Sequence, residues 1–165
     1  LHRRRRRRTR RRRARARQVP VWERSLRTVL VDTGPWIALR NRRDQLHKPA
    51  TEHYDRLVAD GARLVTTSYV VDETATRLRY DLGLEHALRF RDTVKAAERA
   101  QRLRVVWIDR RLDGAAWSIL EQYADVPLSF TDATTVAVAR SRRIREIFAF
   151  DEDFEAVGLV VGPAR

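Results

Sequence analysis

The stretch Val29-Leu30-Val31-Asp32-Thr33-Gly34-Pro35-Trp36-Ile37-Ala38-Leu39 decides the fold. Three aliphatic residues in a row read as a short buried strand. An acid follows at once, and Gly34-Pro35 opens a new element. Proline suits the first turn of a helix, where its missing N–H costs nothing. Trp36, Ile37 and Leu39 would pack that helix. A carboxylate at the C-terminal end of a buried strand stands where open α/β sheets place their ligands. The question for the rest of the chain is whether other acids arrive at the same edge.

Downstream, Leu46, Ala50, His53, Tyr54, Leu57 and Val58 form a helical stripe ended by Gly61. Residues 62–66 read as a second strand. Ser68 is placed to cap a helix carrying Val71, Ala75, Leu78 and Leu82, closed by Gly83. Residues 84–101 form a further helix, with Leu84, Ala87, Leu88 and Ala97 facing inward, and 104–108 a third strand. Leu112, Ala115, Ala116, Ile119, Leu120 and Tyr123 give the cleanest helical spacing, broken by Pro127. Ser129 or Thr131 caps the next helix, whose run Ala133 to Ala139 is nearly all apolar, so it should be buried. Residues 147–150 are a fourth strand, 151–154 a turn, and 159–161 a fifth strand. Strands separated by helices, without hairpin signals, predict an α/β fold with a mainly parallel sheet of four to five strands, covered on both faces.

Composition narrows the chemistry. The 165 residues are 43% apolar, enough for one domain with a real core, and no apolar run is long enough to span a membrane. There is no cysteine, so any metal site must use oxygen or His ligands. The four His show no paired ligand spacing, and the six Gly form no phosphate loop. The net charge of +13 belongs to one end: residues 1–17 hold twelve Arg and no acid, and without those twelve charges the remainder is +1. Residues 1–28 thus read as an Arg-rich extension, disordered when free, and 29–165 as the domain. The extension would bind nucleic acid through phosphate contacts, with a steep salt dependence. Its competing reading is a stretch upstream of the working protein, because the chain begins with Leu and contains no Met. A secretory signal is disfavoured, since Val19-Pro20-Val21-Trp22-Glu23-Arg24 follows the Arg run in place of an apolar segment. The expected location is cytoplasmic.

Four acids look unlike ordinary surface residues. Asp32 follows strand one, and Asp151 follows strand four, so in a parallel sheet both point to one edge. Asp132 sits in the first turn of the apolar helix. Glu73 lies on the helix after strand two, off its main stripe. Each has a plainer reading alone: Asp32 as a cap of the Gly34-Pro35 helix, Asp132 as a dipole partner, Glu73 as a partner of Arg77, and nearby Asp153 as a turn residue. Together they lie at or beyond C-terminal strand ends. Clustered carboxylates repel one another and need a cation to stay ionised. All-oxygen ligands suit Mg²⁺ or Mn²⁺, and such a site favours phosphodiester hydrolysis.

The residues that carry this chemistry also carry a resemblance. They are Val31-Asp32-Thr33-Gly34-Pro35-Trp36, Thr67-Ser68-Tyr69-Val70-Val71-Asp72-Glu73-Thr74, Leu128-Ser129-Phe130-Thr131-Asp132-Ala133 and Phe148-Ala149-Phe150-Asp151-Glu152-Asp153-Phe154. With these four motifs in order, residues 29–161 resemble a PIN-domain ribonuclease, and most of all the VapC toxins of bacterial toxin–antitoxin pairs. The resemblance implies a three-layer α/β/α fold and Mg²⁺- or Mn²⁺-dependent endonucleolytic cleavage of RNA. It assigns Asp32, Glu73, Asp132 and Asp151 to the acidic quartet, as metal ligands and catalytic residues, with Asp153, Thr131 and Thr33 as additional site residues. It also implies a small cognate antitoxin and a homodimer. Arg40 and Trp36, near the first acid, are candidate substrate contacts, with a place in the core the commoner role for a residue such as Trp36. Ala149 departs from the family's usual Thr, and the Arg-rich arm lies outside its pattern.

A second reading is an RNA- or ribosome-binding protein acting through the arm, with little or no catalysis. A third, a dehalogenase-like phosphatase, wants an acid two residues after Asp32, where Gly34 stands.

Overall fold

In a computed structural model, the described residues run from Arg27 to Pro163. The expectations for the Arg-rich stretch lie outside them. The elements are β1 (Thr28–Val31), α1 (Thr33–Arg40), α2 (His47–Ala59), β2 (Arg63–Thr67), α3 (Ser68–Asp81), α4 (Leu84–Arg99), β3 (Leu103–Val106), α5 (Arg110–Gln122), α6 (Phe130–Arg142), β4 (Glu146–Phe148), α7 (Asp153–Ala156) and β5 (Val160–Gly162). The five strands form one sheet in the order β3-β2-β1-β4-β5, and every pairing is parallel. No helix among the described residues is long and apolar enough to cross a membrane.

Strand alternation sorts the core into two layers. Val29, Val31, Leu64, Leu103 and Phe148 point to one face, where Trp36, Leu57, Val70, Leu78 and Phe90 of α1 to α4 cover them. Leu30, Val65, Val106 and Ile147 point to the other, under Leu112, Ile119, Val136 and Phe154 of α5 to α7. Full burial of each such side chain contributes about 1.5–3 kcal/mol. With both faces covered, the sheet is the middle of a three-layer α/β/α fold, as expected.

The topology places the site. The chain leaves β1 toward β2 on one side and returns to β4 on the other, so β1 is the switch point of the sheet. Ligand crevices in open parallel sheets form outside the carboxyl ends of strands at such a point, and Asp32 is the residue found there.

Several local expectations shift. The side chain that caps α3 is Thr67, whose Oγ1 accepts the Val70 N–H at 3.1 Å. Ser68 Oγ instead accepts the Ile108 N–H at 3.2 Å, tying α3 to the segment after β3. On α4 the buried pair is Phe90 and Val94, while Leu84 and Leu88 are exposed, because the aromatic stripe is the one that meets the sheet. Strand β4 stops at Phe148, so Asp151 stands three residues past the strand end. The expected turn is followed by the short helix α7, which plugs Phe154 into the core. Among the described residues, Thr28 opens β1, and Arg27 bridges Asp60 at 2.9 Å and Glu146 at 2.7 Å.

Candidate active site

Asp32 is held by the sheet itself. Its N–H donates to the Phe148 carbonyl at 3.0 Å, and Thr66 Oγ1 donates to the Val31 carbonyl at 2.9 Å. The end of β1 is thus stitched to β4 on one side and to β2 on the other. Asp32 occupies the N-cap position of α1, yet its side chain makes no capping hydrogen bond. The carboxylate is 8% exposed, and its Oδ1 has no partner. A buried polar atom without a partner is costly in a native fold and calls for a ligand or a function.

Electrostatics shows what faces it. Burial pushes the Asp32 carboxyl up to about 7, and the nearby charges of Asp132 and Glu73 push the same way, against the pull of the Thr33 and Gly34 backbone amides. The neighbouring Thr33 hydroxyl is also buried and unpartnered.

Asp132 is set by α6. Ser129 Oγ accepts the Asp132 N–H at 3.1 Å, and Asp132 Oδ2 accepts the Ser129 N–H at 2.7 Å, a reciprocal capping box. Of the two caps the sequence allowed, Ser129 is the one used. The apolar run behind it, Ala133 to Ala139, is wholly buried and fixes the helix against the sheet. Asp132 is raised above the usual carboxylate range by burial first, then by Asp151 and Glu73, while Ser129 opposes the rise. The residue that completes the capping box is also one the sequence singled out for the site.

Glu73 comes from α3, half-buried, and makes no ion pair with Arg77. Asp151 is exposed on the loop after β4, where its Oδ1 accepts the Asp153 N–H at 2.9 Å. Asp153 is raised by slight desolvation and by the Asp151 charge beside it. Asp32, Glu73, Asp132 and Asp151 therefore feel one another, from four elements spread over the chain. Among the described residues, no three of these side chains stand close enough to grip an ion as placed. The donor set nonetheless suits a hard divalent cation: oxygen ligands only, one buried oxygen without a partner, and mutual repulsion that a cation relieves.

Not every sequence candidate comes to this place. Trp36 is 3% exposed and packs on Phe90 with ring centroids 5.8 Å apart, so it serves the core and offers no surface to a substrate. Arg40 closes α1, and its Nη2 donates to Thr93 Oγ1 at 2.6 Å. The eight-residue helix holds Arg40 about 10–12 Å from Asp32. Thr131 stands beside Asp132, and its carbonyl accepts the hydroxyls of Thr134 and Thr135.

Sequence reasoning missed an aromatic cluster next to Asp132. Phe130 stacks with Trp117 at 4.7 Å and meets Tyr69 edge-on at 5.8 Å, and Trp117 and Tyr69 are exposed. Trp117 lies off the apolar stripe of α5, and the three residues are remote in sequence, so no periodic signal joins them.

A three-layer fold with carboxylates converging at the switch-point edge defines the class. The chain belongs to the PIN-domain family, which it matches over residues 29–159. It is 35% identical over 133 residues to the 23S rRNA-specific endonuclease VapC20 of Mycobacterium tuberculosis, from strains CDC 1551 and H37Rv alike, covering 80% of this chain and 95% of theirs. The crystal structure of Mycobacterium tuberculosis VapC20, described as a sarcin-ricin loop cleaving toxin, superposes with a TM-score of 0.68 at 34% identity, over 80% of this chain and 96% of that one. VapBC2 from Rickettsia felis, solved bound to a promoter DNA fragment, shares the fold at a TM-score of 0.59 and 14% identity, over 81% and 96%. The expected VapC-type PIN protein is what the chain is.

Proposed function

We propose that this protein is a divalent-metal-dependent endoribonuclease, the toxin of a toxin–antitoxin pair, with large-subunit ribosomal RNA as its target. The observation that carries the reading is the buried, unpartnered Asp32 Oδ1 facing Asp132 and Glu73. The similarity to a 23S rRNA-specific endonuclease supports the choice of RNA.

Asp32 and Asp132 would hold Mg²⁺ or Mn²⁺, with Asp151 and Glu73 completing the donor set. When bound, the ion activates water and neutralises charge on the phosphodiester. The protein's part is positional. The sheet hydrogen bonds fix Asp32, the capping box fixes Asp132, and Glu73 on α3 stands ready to orient the attacking water. Asp153 and Thr131 flank the acids, where the Thr131 hydroxyl would meet a substrate oxygen, while the Thr33 hydroxyl lies buried beside Asp32. Basic side chains of a small antitoxin would compete for the same carboxylates, and the protein would act as a homodimer.

Incubation with total RNA, with Mg²⁺ or with EDTA, followed by mapping of new 5′ ends, tests the proposal. New ends confined to the Mg²⁺ sample and concentrated in large-subunit rRNA are expected. An unchanged RNA population, or ends that also form in EDTA, would overturn it.

A further inference from the structure

The sheet has a second edge, and its chemistry is the reverse of the first. At the amino ends of the strands lies a cleft of about 840 Å³ lined by Arg63, Arg102, Arg104, Arg142, Arg143 and Arg145. Its two carboxylates are already engaged. Glu98 Oε1 accepts the Val105 N–H at 3.2 Å, and Glu146 holds Arg27. Arg104 and Arg142 have partners of their own. Arg63, Arg102, Arg143 and Arg145 make no ion pair among the described residues. Outside residues 1–17 the chain is nearly neutral, at +1 once twelve Arg charges are taken from +13. Six arginines thus gather at the amino edge of a sheet whose carboxyl edge carries Asp32 and Asp151.

Helix capping does not account for this cleft. Arginines in the last turn of a helix complement its dipole, and Arg142 of α6 fits that description. Arg63 opens β2, Arg102 precedes β3 and Arg145 precedes β4, so these three lie on strand entries. Gln101 (φ 59°) and Arg143 (φ 57°) both adopt the left-handed conformation just past α4 and α6, and both line the cleft. Glycine takes that conformation without steric cost and is the usual choice there. Both positions carry polar side chains in place of glycine.

We propose that this cleft is a second nucleic-acid site, one that grips the phosphate backbone of a folded RNA. The proposal rests on the endoribonuclease reading for its choice of RNA. Guanidinium groups bind phosphate in forked pairs. The lining carries no aromatic residue, so the cleft positions a backbone and does not read bases. Thr28 lines the cleft and Asp32 lies four residues on, so the two edges stand about 13 Å apart along β1. A substrate that engages both edges has to reach around the domain, as a folded RNA can.

The test uses the full chain in EDTA, so that binding is read without cleavage. A stem–loop RNA is added, and arginine modification by phenylglyoxal is mapped by mass spectrometry. Arg102, Arg143 and Arg145 are expected to be protected by RNA, and a duplex DNA of matching sequence should protect them less. The variant R102Q/R143G/R145Q should lower the slope of log affinity against log salt by about 2, roughly a hundredfold in affinity at 0.1 M salt. The equally neutralised control R79Q/R91Q/K95Q should bind with a near-native slope. R143G alone should hold or raise Tm while weakening binding. Three arginines as reactive with RNA as without it would overturn the proposal, as would equal slopes in both triples or stronger protection by DNA. So would a fall in Tm with RNA binding intact, which assigns the arginines to helix capping. Because the footprint is read without cleavage, protected arginines in a chain that never cuts RNA would sink the nuclease reading and leave the cleft standing.

Discussion

Replacing Asp32 with Asn should make the metal-free protein more stable at alkaline pH, the reverse of what loss of a paired carboxylate does. Burial raises Asp32 to about 7, against 3.8 for an exposed aspartate. The folded state therefore binds this proton more tightly than the unfolded chain does. Its contribution is fully present below about pH 4 and is lost as pH rises through about 7. That interval corresponds to about 4 kcal/mol at most. Asn removes the charge but brings its own N–H groups into a site with an unpartnered oxygen, so about 2 kcal/mol should survive as net stabilisation at pH 8. For a domain of this size that is about 5 °C in Tm. The assay is thermal unfolding by circular dichroism in EDTA across pH 4 to 8, on the wild type and Asp32→Asn. Wild-type Tm should fall over the upper part of that range, and the variant should be flat there and higher at pH 8. Adding Mg²⁺ at pH 8 should raise Tm in the wild type and not in the variant. Parallel pH profiles, or an Asn variant less stable at pH 8, would refute the reasoning.

Other perturbations probe the scaffold. Ser129→Ala removes one half of the capping box and should cost about 1 kcal/mol in urea unfolding, while cleavage falls further than stability does because Asp132 loses its anchor. Gly162→Ala places a Cβ 2.8 Å from the His53 ring, so a loss of about 1–3 kcal/mol is expected; His53→Ala in the same chain should recover much of it, and additive losses would show that the two do not meet. Arg27→Ala breaks bridges to Asp60 and Glu146 that are exposed, so denaturant titration should register less than about 1 kcal/mol.

Much of this was legible in the chain. The triplet Val29-Leu30-Val31 followed by Asp32 predicted a short buried strand with an acid at its end, and β1 is that strand. Ala133, Val136, Ala137, Val138 and Ala139 marked a buried helix, and α6 is one. What the sequence hid is relational. Thr67 and Ser68 are adjacent hydroxyls, each able to cap α3, and the geometry of the β2 exit decides between them. Trp36 next to an acid looks like a substrate contact until Phe90, more than fifty positions on, is seen to cover it. The burial of Asp32 could not be read at all, because it depends on how remote segments pack at the sheet edge; two of the charges it faces there, Glu73 and Asp132, come from far along the chain. The rear cleft left a trace: arginines stand at the entries to β2, β3 and β4, a pattern with meaning only once those strands are known to run parallel in one sheet.

The central claim is that four carboxylates from remote segments act as one site. Cleavage of a single RNA by the wild type and by Asp32→Asn, Glu73→Gln, Asp132→Asn and Asp151→Asn, each shown to be folded, tests it most directly. The account predicts that the Asp32 and Asp132 variants lose cleavage entirely and that the Glu73 and Asp151 variants lose most of it. Undiminished cleavage by a folded Asp32 or Asp132 variant would contradict it.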